Sequence, residues 1–302
     1  MRLARKWFQA ICFFLVNGFW GFPFTGTIYQ GPMKIICSPG LNCYSCPSST
    51  AFCPIGALQQ LLLNIRFSIQ SGQYYFGGFV LGSIGMIGAV FGRFVCGWAC
   101  PFGFFQELLY KLSSRKLSIP KLFNWLKYVI FFLLVILFPL IFVSKAGMGQ
   151  PWFCKYVCPA GTFQAGIPML ILDPNLRGAI GWLFVNKLTI ALGFTFWSVF
   201  SSRPFCRVAC PLGAFYALFS RWQLIRLQLN EENCTECGAC HKVCPVEIKF
   251  NETPNSGECV NCMKCMTEAC AFDAIFVEVA GFPMFGPDLG KTNKCLLPRR
   301  KI

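Results

Sequence analysis

Between residues 234 and 270 the chain reads Cys234-x-x-Cys237-x-x-Cys240-x-x-x-Cys244-Pro, then Cys259-x-x-Cys262-x-x-Cys265, with Cys270 beyond it. No other feature limits the fold so tightly. Three thiolates at this spacing clamp one face of a 4Fe-4S cube, and the fourth ligand comes from the other run. The pattern predicts one set of Cys234, Cys237, Cys240 and Cys270, and a second of Cys259, Cys262, Cys265 and Cys244. The second run is irregular. Four residues, not three, separate Cys265 from Cys270, and Ala271 stands where the first run has Pro245. Zinc accounts for one C-x-x-C pair but not for runs of four. Cys237-Gly-Ala-Cys240-His241 also has the form of a haem c attachment site. Both cysteines are already required by the cluster run, and the chain has one His, so no haem is expected.

The rest of the chain is of another kind. Of 302 residues 55% are hydrophobic and 13% charged, against roughly a quarter charged in soluble domains. Apolar runs cover residues 7–29, 73–95, 122–143 and 179–200, each long enough for the ~20 helical residues that cross a bilayer. Gly78/Gly82 and Gly88/Gly92 stand at a spacing that allows close helix contact, and Pro139 predicts a kink. Basic residues flank the runs unevenly. Arg2, Arg5 and Lys6 precede the first, Lys111, Arg115, Lys116, Lys121 and Lys127 separate the second from the third, and Arg203, Arg207, Arg221 and Arg226 follow the fourth. The positive-inside rule then puts both termini on the cytoplasmic side of a prokaryotic inner membrane, with the first run retained as a span. The net charge of +15 belongs to this flanking pattern, so no nucleic-acid partner is expected.

The membrane portion is internally duplicated. Arg93-Phe-Val-Cys96-Gly-Trp-Ala-Cys100-Pro-Phe-Gly103 follows the second run, and Arg203-Pro-Phe-Cys206-Arg-Val-Ala-Cys210-Pro-Leu-Gly213 follows the fourth. Cys53-Pro-Ile-Gly-Ala-Leu-Gln59 and Cys158-Pro-Ala-Gly-Thr-Phe-Gln164 follow the first and third. The repeat is parallel, about an axis along the membrane normal. In each Cys-Pro the Cys suits a helix N-cap and Pro the first helical position, so short helices are expected to follow and lie at the interface. A helix N-terminus also favours an anionic, thiolate-bound cluster. Cys96, Cys100, Cys206 and Cys210 form the expected inner-face set. On the outer face Cys154 and Cys158 need two partners. The repeat selects Cys53, and Cys46 is taken as the second, with Cys37 and Cys43 as alternatives. A cluster held by Cys37, Cys43, Cys46 and Cys53 alone stays open, as do free or disulfide-bonded thiols at either face.

C-x-x-x-C-P loops after membrane spans, joined to the two C-terminal runs, resemble the NapH family of membrane ferredoxin-type quinol dehydrogenases. The related NosR and CcoG-type proteins share the C-x-x-x-C-P elements. The resemblance covers nearly the whole chain. With the residue pattern it implies a four-helix transmembrane core of two parallel halves over 1–226, and a C-terminal α+β two-cluster ferredoxin-like module over 227–302. Three to four 4Fe-4S clusters are expected. Electrons would pass between cytoplasmic donors such as ferredoxin, or the quinone pool, and other redox subunits of a membrane complex, with the chain a carrier or a quinol dehydrogenase component. The alternative is an assembly factor that reduces a metal or thiol for another complex. One tension stands: clusters on opposite faces of a ~30 Å core are too far apart for one efficient electron step. Either the loops fold back into the core or a quinone or partner cofactor bridges the gap. Lys187 lines a quinone pocket or snorkels to the interface. Cys12 reads as a buried hydrophobe, and Cys295, beside the basic tail Arg299-Arg300-Lys301, as unligated.

Overall fold

The computed structural model describes residues 2–70, 72, 77–113, 115–143, 149–220, 222–254 and 256–285. Cys295 and the basic tail lie outside the described residues.

Among the described residues two helices, Lys121–Ile141 and Trp182–Phe200, are long and apolar enough to cross a membrane. They match the third and fourth apolar runs. The first run forms the 15-residue helix Arg2–Val16 and then breaks where the Asn17 side chain turns back on the Phe13 carbonyl. The second forms the 14-residue helix Gly78–Phe91 and stops at Gly92, whose φ of 51° leaves the helical region. At 1.5 Å per residue neither reaches the ~20 residues of a full span, so among the described residues two helices of full length stand where four spans were expected. At Pro139 the helix changes its hydrogen-bonding pattern. The segment Phe131–Leu137 is π-helical and hands over to Phe138–Ile141, so the widened turns come just before the proline. A further helix, Pro54–Gln70, follows Cys53 and at 17 residues outruns the short helix expected after Cys-Pro.

Several charged and polar side chains are buried along with the apolar core, while large apolar side chains are exposed. Arg5, Gln9, Arg93, Gln106, Lys127, Arg203 and Arg207 are buried. Trp7, Phe24, Trp125, Trp182 and Phe196 face outward. One contiguous core contains Leu41, Cys53, Cys96, Cys100, Cys158, Phe205, Cys210 and Tyr216. The helices after Cys100 and Cys210, Pro101–Leu109 and Pro211–Phe219, belong to it. Pro211, Leu212, Gly213, Ala214, Tyr216 and Ala217 are all buried, so most of the second helix packs inside the protein.

The C-terminal module is bracketed by an antiparallel sheet of β1 (Ile225–Leu229), β2 (Ile275–Val279) and β3 (Phe282–Phe285), in the order β1-β2-β3. Leu227 pairs with Val277, and both join Phe250, Cys265 and Ile275 in a second small core. The module is bound to the helical core by buried charge. Glu258 pairs with Arg93 at 3.0 Å and with Lys127, Tyr128 donates to it at 3.0 Å, and Arg207 pairs with Glu247 at 3.1 Å. Trp98 Nε1 donates to the Asn261 carbonyl at 3.1 Å.

Candidate metal centres

The three C-x-x-x-C-P loops of the helical core close in the same way, whereas Cys244 of the module donates its N–H three residues back, to His241 at 3.2 Å. In the core loops the second Cys donates its backbone N–H five residues back: Cys100 to Val95 at 3.1 Å, Cys158 to Phe153 at 3.0 Å, and Cys210 to Phe205 at 2.9 Å. Cys100, Cys158 and Cys210 then N-cap the next helix in extended conformation, with Pro in its first turn. Cys53 likewise accepts from Ala57 at the start of Pro54–Gln70. The helix starts follow the Cys-Pro signature. Cys270 shows the same closure, onto Cys265 at 2.9 Å, across the π turn Cys265–Ala269. The extra residue of the second C-terminal run is therefore absorbed as a widened turn.

The inner four thiols share one environment. Cys206 lies within electrostatic reach of Cys96 and Cys100, and Cys210 within reach of Cys206, Cys96 and Cys100. Burial pushes the Cys206 thiol up to about 12, against the opposing pull of Arg203. Donors point at the sulfurs: Gln106 Nε2 to Cys206 Sγ at 3.1 Å and Gly213 N–H to Cys210 Sγ at 3.4 Å. The two halves cross over at the arginine that opens each repeat. Arg203 donates to the Cys96 carbonyl at 2.6 Å, while Arg93 Nη2 lies 3.4 Å from where a Cβ would sit on Gly213. Arg203 holds a left-handed φ of 51° before Pro204, a costly conformation for a residue with a Cβ. Arg203 and Arg5 both pair with Glu107 at 2.8 Å. Burial alone would raise the Glu107 carboxyl, but Arg203 and Arg5 hold it down at about 2.

In the outer set the structure brings Cys43, not Cys46, to Cys53, Cys154 and Cys158. Cys154 and Cys158 both lie within electrostatic reach of Cys43 and Cys53. Cys46 Sγ instead contacts Ser48 Oγ at 3.2 Å and Asn17 Oδ1 at 3.8 Å. The repeat glutamines explain the choice. Gln59 accepts the backbone N–H of Cys154 at 3.4 Å, and its counterpart Gln164 accepts that of Cys43 at 2.8 Å. Burial pushes the Cys43 thiol to about 11 and the Cys158 thiol to about 12. The four thiols line a cavity of about 1000 Å³ that also receives Lys34 and Lys187. A Cβ on Gly161 would lie 3.6 Å from Lys187 Nζ, 3.8 Å from Cys43 Sγ and 4.0 Å from Cys158 Sγ. Lys187 therefore turns inward to the thiols and does not snorkel.

The inner and outer sets are neighbours. A Cβ on Gly40, in the loop before Cys43, would lie 3.1 Å from Cys100 Sγ, and Cys53 is within electrostatic reach of Cys100. The loop folds back into the core, which is the first of the two ways out of the expected gap.

In the module, Cys265 lies within reach of Cys262, Cys259 and Cys244, and Cys234, Cys237, Cys240 and Cys270 line one small cavity. Ile248 N–H donates to Cys244 Sγ at 3.4 Å and Ala274 N–H to Cys270 Sγ at 3.3 Å. Arg203 stands between the module and the core, within reach of Cys262 as well as Cys206 and Cys100. Cys237 is exposed. Among the described residues no three His, Cys, Asp or Glu side chains converge as a single metal ion would require; the thiols of each set share wider surroundings. Cys12 is half-buried and Cys37 stands beside Cys53.

Sequence reasoning passed over Glu107, Glu258, Gln106, Tyr216 and Gly40. Arg93 and Arg203 carried a usable signal, since each opens its repeat three residues before the first Cys.

Buried thiols in fours, with N–H donors aimed at their sulfurs and guanidinium groups beside them, line the sites of an iron–sulfur protein. A 4Fe-4S binding domain matches residues 51–70, 75–120, 128–171 and 180–229, more than half the chain. A second 4Fe-4S binding domain matches 227–249. The chain belongs to the 4Fe-4S binding domain family and is an iron–sulfur electron-transfer protein, a polyferredoxin related to NosR. It is 33% identical over 194 residues to the uncharacterized protein MJ0750 of Methanocaldococcus jannaschii, covering 63% of this chain and 74% of that one. It is 26% identical over 219 residues to the putative electron transport protein YccM of Escherichia coli, covering 69% and 58%. The regulatory protein NosR of Stutzerimonas stutzeri is 30% identical over 183 residues, covering 56% of this chain and 22% of NosR. No solved structure matches.

Proposed function

We propose that this chain is a membrane-embedded conduit in which four cysteine sets, in file, hold 4Fe-4S clusters. The file runs from Cys234, Cys237, Cys240 and Cys270, through Cys244, Cys259, Cys262 and Cys265, to Cys96, Cys100, Cys206 and Cys210, and ends at Cys43, Cys53, Cys154 and Cys158. The observation that carries the reading is the succession of thiols, from exposed Cys237 to buried Cys158, with each set adjoining the next. The donor chemistry fits: thiolates are the ligands these clusters take, and N–H donors to sulfur tune them. Each cluster, when bound, carries one electron at a time. The chain's own residues keep water out, and Arg93 and Arg203 offset the anionic charge gathered around them. Where burial raises the thiol, as at Cys43, Cys158 and Cys206, loading the set with metal releases protons.

The large apolar side chains left exposed, Trp7, Phe24, Trp125, Trp182 and Phe196 among them, support membrane embedding. Lys121–Ile141 and Trp182–Phe200 cross, and the shorter Arg2–Val16 and Gly78–Phe91 complete the four-span core, with loops buried between them making up their length. Both termini then lie on the cytoplasmic side. A soluble donor such as ferredoxin meets the exposed Cys237 end. A quinone, or another redox subunit, meets the Cys43 set through the cavity that Lys187 lines. The test is electron transfer across a bilayer. Proteoliposomes carrying the anaerobically purified protein, with ferricyanide trapped inside and dithionite outside, should bleach the trapped acceptor well above the protein-free rate. Bleaching no faster than in empty vesicles would refute the reading.

A further inference from the structure

We propose that Gly40 and Tyr216 are positioning residues that lock the loop of residues 38–41 into the core, and so make protein, not an added cofactor, the link between the inner and outer cysteine sets. The inference rests on the reading that both sets hold clusters. A Cβ on Gly40 would lie 2.5 Å from the Cys100 Cα, 2.9 Å from its Cβ and 3.1 Å from its Sγ. Glycine is required here for space, because any side chain drives the loop off Cys100. From the other side, fully buried Tyr216 donates its phenol to the Pro39 carbonyl at 3.2 Å, the partner a buried hydroxyl needs. Within the loop, Ser38 Oγ donates to the Gly40 carbonyl at 3.2 Å, and Ser38 N–H donates to Phe52, next to Cys53, at 2.9 Å. Tyr216 has Cys96 and Cys100 of the inner set in reach, and Cys37 and Cys53 as well. It stands at the junction of the two sets. When an electron passes, one set's cluster is oxidised as the other's is reduced. No bond is made or broken, and Tyr216 keeps its proton.

The experiment compares full-length wild type with Gly40→Ala and Tyr216→Phe. Iron and sulfide per chain are measured first. Low-temperature EPR of the reduced protein then reads the magnetic interaction between the inner and outer clusters, identified by its disappearance in Cys206→Ser and in Cys158→Ser. The proteoliposome rate is measured last. We expect wild-type iron in Tyr216→Phe, a weakened interaction, and several-fold slower transfer. Gly40→Ala should show the larger effect. Full iron with unchanged interaction and rate in Tyr216→Phe overturns the inference, whatever Gly40→Ala does. Loss of iron in both variants also overturns it, by making the two residues supports of a ligand set. If wild type itself lacks iron at these sets, the functional reading fails instead.

Discussion

Gln164 Oε1 accepts the backbone N–H of Cys43 at 2.8 Å, so a residue of the second half fixes a cysteine of the first. Gln164 Nε2 adds a bond to Asn42 at 2.9 Å. The mirrored bond from Gln59 to Cys154 makes the exchange reciprocal. The outer set should therefore use Cys43. Cys43→Ser is expected to lower iron and acid-labile sulfide by about one cubane per chain, and Cys46→Ser to leave both at the wild-type value. The reverse result would return Cys46 to the set.

Glu107 is the counter-charge of two buried guanidinium groups, Arg5 and Arg203. Removing one partner of a buried ion network leaves charge uncompensated, so Glu107→Gln should cost about 3–5 kcal/mol, read as a lowered thermal midpoint in detergent. The pH dependence has a definite sign. In the folded protein Arg203 and Arg5 hold the Glu107 carboxyl down at about 2, well below the ordinary carboxylate value near 4.5. Its stabilisation is fully present above the unfolded value and is lost as pH falls towards 2. The gap between wild type and Glu107→Gln should accordingly narrow as pH is lowered below 4.5.

Glu258 joins the module to the helical core through Arg93, Lys127 and Tyr128. Burial would raise its carboxyl, yet Arg93 and Lys127 hold it at about 2. Glu258→Gln should loosen this junction. Amide hydrogen exchange over residues 256–262 is expected to rise several-fold while the strands Ile225–Leu229 and Ile275–Val279 stay protected. Unchanged exchange would mean that the other contacts suffice.

Much of the site was legible because its signals are local. Cys-Pro announces an N-cap and a first turn, and the helices begin where Cys100, Cys158 and Cys210 place them. Periodicity and apolar length located Lys121–Ile141 and Trp182–Phe200. What escaped is non-local or hidden by composition. Cys53-Pro54 announces a short helix but not its 17 residues, Pro54–Gln70, nor the burial of Gln59, which is bonded to Leu134 and Cys154. Apolar composition made the first two runs look continuous, although Asn17 and Gly92 end their helices. The choice of Cys43 over Cys46 depends on Gln164, more than a hundred residues away, and no spacing rule reaches that far.

The central claim, that the core as well as the module holds clusters, is tested most directly by an anaerobic iron and sulfide count with EPR, on wild type and on Cys96→Ser/Cys206→Ser. The account predicts more than two cubanes per chain in wild type, one fewer in the variant, and unchanged signals from the C-terminal pair. Two cubanes in wild type, both untouched by the substitutions, would contradict it.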